Sequence, residues 1–303
     1  MFALAVLAAS GTAFAQSSVT VYGKLDQGFA RSIGADKFDV KQASGSRLGF
    51  RGTEDLGGGL RANFNFENRF TPDDGVAAST FWGGRSFVGL QGGFGRVDLG
   101  RDYTAAFYSA NGADVFGWDG VAQNTVATTA GTNAVRFANG VFYTSPTMGG
   151  LTARISHSQK EGATTATNVK NGSSVQIAYA AGPLSASVAT ETTVANNKFD
   201  IIAAAYDLGV AKLNIAGTTG KTAAGVKSEG MIIGASMPMG ALTLKATYAT
   251  LEVGGTDTVQ QVGIGARYAL SKRTDLYTSY ANNSKAAAGT KKNGMEFGVQ
   301  HNF

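Results

Sequence analysis

Residues 60–70 read LRANFNFENRF, a stretch in which apolar and polar side chains alternate almost without a break. The even positions are apolar and the odd positions carry charged or amide side chains, with Asn68 as the one polar residue on the apolar face. A β-strand turns successive side chains to opposite faces, so this stretch predicts a strand with one apolar and one polar face. Residues 259–270 and 294–303 alternate in the same way.

Turn sequences divide the chain into segments of strand length. Short turn signals lie at residues 56–59, 91–95, 146–150, 181–183, 207–209, 238–240 and 271–275. Longer polar stretches lie at about residues 31–43, 71–79, 104–134, 161–171, 193–197, 219–227, 252–257 and 283–292. Seven turns and eight loops predict sixteen strands, and a tilted strand that crosses an outer membrane needs only about 9–11 residues. The prediction is an all-β fold, a 16-stranded antiparallel transmembrane β-barrel.

The composition narrows the membrane alternatives. Apart from the N-terminus, the longest apolar run lies around residues 201–206, far short of the 18 or more residues of a transmembrane helix. A membrane-spanning chain must pair all its backbone polar groups, so without such helices it must close into a barrel. The chain has no Cys, which excludes a disulfide scaffold and a thiolate metal site.

Residues 1–15 differ from the rest and are predicted to be a cleaved secretory signal. Residues 2–9 are apolar, and Ala13-Phe14-Ala15 forms a small-x-small cleavage sequence before Gln16. The alternative is a hydrophobic first strand or helix. Under the signal hypothesis, residues 16–303 form the barrel and the chain is exported beyond the inner membrane.

The longest predicted connection, residues 104–134, stands apart by its composition. It contains the aromatic residues Phe107, Tyr108, Phe116 and Trp118 and the carboxylates Asp114 and Asp119. Long loops without a function are uncommon, and aromatic rings need a surface to pack on. We expect this third long loop to fold into the barrel and narrow it. A surface loop at a subunit contact is the alternative.

Several charged residues on the polar faces are predicted to line a water-filled lumen, because a charge facing lipid at mid-depth costs about 2–4 kcal/mol. By parity this set includes Arg47, Arg51, Arg61, Arg69, Arg85, Arg136, Glu67 and Asp98, together with Lys24, Asp26, Thr53, Gln261 and Arg267. Opposite the loop carboxylates Asp114 and Asp119, these arginines would build a transverse field and a modest preference for anions. Alternatively, each Arg pairs with a neighbouring carboxylate and holds the wall in shape.

Five stretches of the chain form a recognisable set: QSSVTVYG at 16–23, SRLGFRGTEDLGGGL at 46–60, RSFVGL at 85–90, GRVDLGR at 95–101 and LSKRT at 270–274. This set resembles the general porins of Gram-negative bacteria, of the β-proteobacterial and neisserial kind. The resemblance implies an outer-membrane homotrimer of 16-stranded barrels with the third loop folded inward as an eyelet. It also implies that the terminal Phe303 is the signal for the barrel-assembly machinery.

In anion-preferring members of that family, basic residues line the eyelet, and Arg47 and Arg136 match such positions. In relatives the strand-four arginine often stands where this chain has Gly84, so Arg85 takes a neighbouring place. Parity turns Arg85 inward, although a bulge would change its direction. The eyelet would then be less basic or wider than the family pattern.

Other functions are weaker predictions. An outer-membrane enzyme would need a catalytic group, but the chain has only His157 and His301, and parity places His301 outward. Glu161 is the acidic residue nearest to His157, and no ligand spacing suggests a metal or another cofactor.

A surface protein with a β-solenoid should show a fixed repeat, and none is found. A sugar-specific channel would carry a track of aromatic residues along the lumen, whereas here most aromatics fall on outward positions or in the long loop. The net charge is +5, and the basic residues are scattered singly along the strands, which argues against a nucleic-acid partner. The predicted partners are outer-membrane lipid, small anions and hydrophilic solutes, and further copies of the chain.

Overall fold

The computed structural model describes residues 18–160 and 170–303. The predicted signal, residues 1–15, lies outside the described residues, and so do Glu161 and most of the predicted loop at 161–171.

Sixteen long strands run through the described residues. They are β1 (Ser18–Arg31), β2 (Ser46–Gly57), β3 (Leu60–Thr71), β4 (Arg85–Gly92), β5 (Gly95–Tyr103), β6 (Arg136–Thr144), β7 (Leu151–Ser158), β8 (Gly172–Ala181), β9 (Leu184–Thr192), β10 (Lys198–Asp207), β11 (Lys212–Lys221), β12 (Lys227–Met239), β13 (Leu242–Val253), β14 (Thr256–Ala269), β15 (Thr274–Asn283) and β16 (Asn293–Asn302). Two short strand segments, Asp39–Lys41 and Val76–Ala77, lie in the first two loops.

The strands close into one antiparallel barrel. Each strand pairs with its neighbours in chain order, and β16 pairs with β1 to complete the ring. At this closure Phe29 lies opposite Phe297, and their rings stack with centroids 5.4 Å apart. Closure leaves no unpaired sheet edge, which a barrel in lipid requires. The predicted 16-stranded all-β barrel is confirmed.

The burial pattern is the reverse of that in a soluble protein. Large apolar side chains such as Val88 (59 % exposed) and Ile202 (64 % exposed) cover the outer face. Polar side chains such as Asn214 and Gln300 are buried on the inner face. Strands with an apolar outer face and a polar lumen are those of an outer-membrane barrel.

The seven predicted turns join the strands at one end of the barrel, and the loops join them at the other. In the first turn, Gly57, Gly58 and Gly59 all have positive φ, which explains the glycine run. The stretch at 252–257, expected to be a longer polar loop, is instead a two-residue hairpin turn. Gly254 and Gly255 form it with φ of 58° and 80°, since two successive positive φ angles suit tight turns of the kind that glycines favour.

One part of the inner wall is apolar, and this explains the longest apolar run of the sequence. On β10, Ile202 faces outward while its neighbour Ile201 faces inward and is 4 % exposed. Inward residues of five adjacent strands pack on the third loop; they are Ala189, Phe199, Ile201, Ala203, Ala216, Ile232 and Ala249. Both faces of these strands are therefore apolar wherever the loop covers them.

Two helices lie in the third loop, between β5 and β6: α1 (Ala105–Ala113) and α2 (Thr125–Thr129). Thr104 caps α1 by accepting a hydrogen bond from the backbone N–H of Phe107 at 3.2 Å. In the parts of the chain that the structure describes, no helix is long and apolar enough to cross a membrane.

Candidate functional site

The third loop runs inside the barrel, as predicted, and is fastened to the inner wall. Its alanine-rich helices pack on the apolar inward residues of β9–β13. Hydrogen bonds fasten the rest: the hydroxyl of Thr218 donates to the Ala127 carbonyl at 2.7 Å, and the amide of Gln261 donates to the Gln123 carbonyl at 2.9 Å. At the far side, the Val121 N–H donates to the Glu296 carboxylate at 3.0 Å. The loop thus covers one half of the wall, mainly β8–β16, and narrows the lumen toward the other half.

Glu191 on β9 secures the end of the loop. Its carboxylate accepts a hydrogen bond from the backbone N–H of Ala134 at 2.6 Å, and the side chain is 2 % exposed. Hydrogen bonds to a buried carboxylate are stronger than those between neutral groups. Glu191 is therefore a main anchor of the loop in its inward position.

The aromatic residues of the loop pack on one another and on the last residue of β5. The rings of Phe107 and Tyr103 stack with centroids 3.9 Å apart, and Trp118 meets Phe107 edge-on at 5.2 Å. The indole N–H of Trp118 donates to the hydroxyl of Thr128 at 2.8 Å. The expectation that these rings need a packing surface is met inside the barrel.

Three predicted arginines meet on the wall opposite the loop, around Glu67 and Tyr103. Arg69 binds the Glu67 carboxylate at 2.7 Å, and Arg47 approaches it at 4.0 Å. Arg69 and Arg136 both donate to the Tyr103 hydroxyl oxygen, at 3.0 and 2.6 Å. Within the described residues no carboxylate lies within 4.0 Å of Arg136.

Arg85 faces the lumen, as parity predicts, and forms a two-pronged ion pair with Asp102 at 2.7 and 2.9 Å. The register sets Arg85 opposite Glu67, while the Gly84 N–H donates to the Glu67 carbonyl at 3.0 Å. A Cβ at Gly84 would also lie 2.4 Å from the Glu67 carboxylate. Gly84 and Arg85 therefore both lie next to Glu67. Strand parity alone does not predict that two successive residues contact the same side chain.

Asp98 is turned inward as predicted, and Arg96 binds it at 2.7 Å. The pairing hypothesis thus describes Arg69, Arg85 and Arg96, whose partners are Glu67, Asp102 and Asp98. In each of these three pairs the arginine side chain is 22–33 % exposed and the acidic side chain only 4–9 %. The water-filled side of the wall consequently presents mainly positive groups even where the charges balance.

Arg51 and Arg61 lie nearer the short turns and are exposed. Arg51 sits 5.1 Å from the ring of Tyr22 and lines a cavity that Arg85 and Arg96 also line. Arg61 pairs in register with Asp55, next to the first turn. Both lie on the turn side of the cluster around Glu67 and Tyr103.

The two loop carboxylates differ. Asp114 is 3 % exposed and accepts hydrogen bonds from the backbone N–H groups of Phe116 and Asn124 at 3.0 and 2.7 Å. Burial raises the pKa of Asp114, although these hydrogen bonds favour its charged form. The structure thus turns Asp114 into the loop, and of the predicted pair only Asp119 lines the lumen, beside Lys245 and Arg267.

Sequence reasoning missed Tyr103, Asp102, Arg96 and Arg154 as lumen residues. Strand parity could have found Arg96, which is two residues from Asp98, and Arg154, which alternates with the outward Ile155. Asp102 follows an irregularity of the register between Gly100 and Asp102, so alternation gives no reliable side for it.

Both histidines lie opposite outward residues of the adjacent strands. His301 is exposed and pairs in register with the outward Leu25, and His157 pairs with the outward Val141. Neither joins the lumen carboxylates. Among residues 18–160 and 170–303, no group of three or more acidic or histidine side chains could hold a metal ion.

Comparisons with known proteins agree with this geometry. A family model described as Gram-negative porin matches residues 3–288. Outer membrane porin protein 32 of Delftia acidovorans is 35 % identical over 347 aligned residues, covering 100 % of this chain and 99 % of the relative. The major outer membrane protein P.IB of Neisseria lactamica is 26 % identical, with 95 % of each chain covered.

Solved structures share the fold. An anion-selective porin from Comamonas acidovorans has a TM-score of 0.82 at 32 % identity, with 95 % of this chain and 100 % of that chain covered. Salmonella typhi OmpF, solved with daunomycin, has a TM-score of 0.73 over 94 % of this chain and 97 % of its own, and at 14 % identity it supports the fold alone.

Proposed function

The chain belongs to the Gram-negative porin family, and from this premise we propose that its lumen conducts small hydrophilic solutes with a preference for anions. The protein is a channel of the outer membrane and not an enzyme. Its similarity to an anion-selective porin supports the proposed preference.

The observation that carries the proposal is the charge arrangement around Tyr103. Three guanidinium groups, those of Arg47, Arg69 and Arg136, are accompanied by one carboxylate, that of Glu67, which is buried beneath them. Asp119 supplies negative charge on the loop side. A constriction with exposed cations on one wall lowers the energy of a passing anion and raises that of a cation.

The residues take different roles in this proposal. Arg136 and Arg47 set the sign of the field, because neither has a close ion pair. Arg69 contributes further positive charge, although it is paired with Glu67. Arg85, paired with Asp102, lies beside Glu67 at the constriction, whereas Arg51, Arg61 and Asp98 shape the potential on the side of the short turns. Asp114 keeps the loop in shape.

A reversal-potential measurement tests the proposal. We expect the purified protein in a planar bilayer under a KCl gradient to give a potential displaced toward the chloride equilibrium potential. Replacing Arg47 and Arg136 together by Gln should move it toward zero or toward potassium. Cation preference in the unchanged protein, or unaltered selectivity in the double variant, would overturn the arginine assignment, and an absence of conductance would overturn the channel.

We also propose that the protein assembles as a homotrimer. The second loop supports this because its Phe81 is 59 % exposed and its Trp82 is 38 % exposed, and both stand on the outer surface near Phe66. Exposed aromatic patches commonly mark protein contacts. Chemical cross-linking in detergent should give products of up to three chains. The double variant Phe81→Ser, Trp82→Ser should give less of the three-chain product.

Phe303 supports a further proposal, that the chain end is recognised by the barrel-assembly machinery. In the folded barrel its backbone N–H and carbonyl pair with those of Gly23 at 3.1 and 2.9 Å, which fixes the last strand against β1. Phe303→Ser should reduce outer-membrane insertion in cells while leaving refolding into detergent nearly unchanged.

A further inference from the structure

A second cavity lies between the third loop and the short turns, and we call it the vestibule pocket. Its walls are the inner faces of β4–β7 and the helix α1, and its volume is about 510 Å³. Its lining includes residues of two short turns, at Gly92–Gly95 and Thr144–Thr147. Pockets that bind small organic molecules have similar volumes.

The vestibule pocket combines arginines with aromatic rings in a repeated arrangement. Arg85 lies 5.5 Å from the ring centroid of Tyr103, and Arg154 lies 4.6 Å from that of Tyr108. Phe142 lines the same space and is 7 % exposed. Flat guanidinium groups beside ring faces form a surface that attracts both a carboxylate and an aromatic ring.

Of the three arginines that line the vestibule pocket, two are paired with a carboxylate. Arg85 is paired with Asp102, and Arg96 with Asp98. Arg154 donates to the amide oxygen of Gln176 at 2.6 Å, and in the described parts of the chain no carboxylate lies within 4.0 Å of it. A guanidinium that is held in place by a neutral partner can still offer its remaining N–H groups to an anion.

We propose that the vestibule pocket binds aromatic monocarboxylates, with the carboxylate on Arg154 and the ring beside Tyr108 and Phe142. One uncompensated cation matches one carboxylate better than it matches a dianion, and the rings add a contact that an inorganic anion cannot make. The inference rests on the proposed channel and adds a solute class to it. The pocket would raise the local concentration of such solutes next to the constriction.

Benzoate in a planar bilayer tests this inference with the full-length protein. Chloride conductance is recorded while benzoate, acetate or uncharged benzamide is added. We expect benzoate to halve the conductance at a concentration about tenfold below that of acetate, the ratio that about 1.4 kcal/mol of added contact gives. Benzamide should have no such effect, because it lacks the charge.

Matched variants locate the effect. Arg154→Gln should raise the half-blocking benzoate concentration about tenfold, again the equivalent of about 1.4 kcal/mol. For Arg154→Lys the half-blocking concentration should lie between those of the unchanged protein and of Arg154→Gln, because lysine keeps the charge but lacks the flat guanidinium. Arg273→Gln removes the same charge from an exposed turn at the same end of the barrel and should leave the block unchanged.

Two results would overturn the inference: benzoate that blocks no better than acetate, or an Arg154→Gln channel that benzoate blocks as in the unchanged protein. Normal chloride conductance accompanied by either result would leave the proposed channel intact. A protein with no conductance in any salt would instead overturn the channel itself.

Discussion

Arg136 and Tyr103 are joined twice, since the guanidinium donates to the phenolic oxygen at 2.6 Å and its central carbon lies 4.1 Å from the ring centroid. Arg69 donates to the same oxygen at 3.0 Å, and Phe107 stacks on the ring at 3.9 Å. The neutral side chain of Tyr103 therefore holds the guanidinium groups of Arg69 and Arg136 in place and connects them to the start of the third loop.

The variant Tyr103→Phe should weaken the anion preference without abolishing it. The ring and all charges remain, but two hydrogen bonds to charged groups, each of about 1.5–3 kcal/mol, are lost and both guanidiniums gain freedom. The reversal potential should move less than in Arg136→Gln, and open-channel noise should increase. If both quantities equal those of the unchanged protein, the oxygen does not position the arginines.

The variant Glu191→Gln should loosen the third loop. The charged acceptor of the Ala134 N–H becomes neutral, which removes part of a bond of about 1.5–3 kcal/mol. Chymotrypsin should then cleave at the loop aromatics about tenfold faster, as about 1.4 kcal/mol of easier opening implies. Glu229→Gln, on an exposed site of β12, is the control and should match the unchanged protein. Equal cleavage of both variants would contradict the anchor role.

The variant Gly23→Ala should impair closure of the barrel. A Cβ there would lie 2.2 Å from the Phe303 ring and 2.7 Å from the Arg47 carbonyl oxygen, so both must shift. Overpacking of this kind costs about 1–3 kcal/mol. On unheated gels we expect less of the compact, fast-migrating form. Gly93→Ala adds the same methyl where no atom lies within 4 Å, and it should fold normally.

The variant Ile202→Arg should oppose insertion into lipid. Ile202 lies mid-strand on the outer face, where an added arginine costs about 2–4 kcal/mol. Urea titration of folding into lipid vesicles measures this cost. Asp200→Arg, on the same face two residues nearer the loop end of β10, should cost about 0–1 kcal/mol because depth sets the penalty. Equal costs at both positions would contradict the predicted placement in the bilayer.

Alternation predicted the barrel and the direction of most lumen charges because the side-chain period of a strand is two. Arg47, Arg85 and Asp98 are turned inward as parity requires. The same rule turns Arg154 inward, because its neighbour Ile155 faces outward. The strand number followed from turn chemistry, and the stretch at 252–257, predicted as a longer loop, has a glycine pair at its centre.

The interior of the third loop could not be predicted in this way because the loop has no period. Asp114 and Asp119 are five residues apart and look alike in sequence, yet the first is turned away from the lumen, where it accepts hydrogen bonds from the backbone N–H groups of Phe116 and Asn124. The apolar pair Ile201 and Ile202 did carry information: a strand with two apolar faces inside a polar barrel must be covered on its inner side.

Because the third loop is attached to one side of the barrel, the two sides differ in how well they tolerate the replacement of inward side chains. Along β8–β16, inward side chains such as Ser187, Thr218 and Gln261 are committed to holding the loop, so their replacement would disturb the shape of the passage. Along β2–β7, the arginines face water and bind mainly side chains of the same wall, such as Glu67, Asp102 and Tyr103. Redesign of this protein as a sensor or filter for a chosen solute should therefore keep the first wall and vary the second.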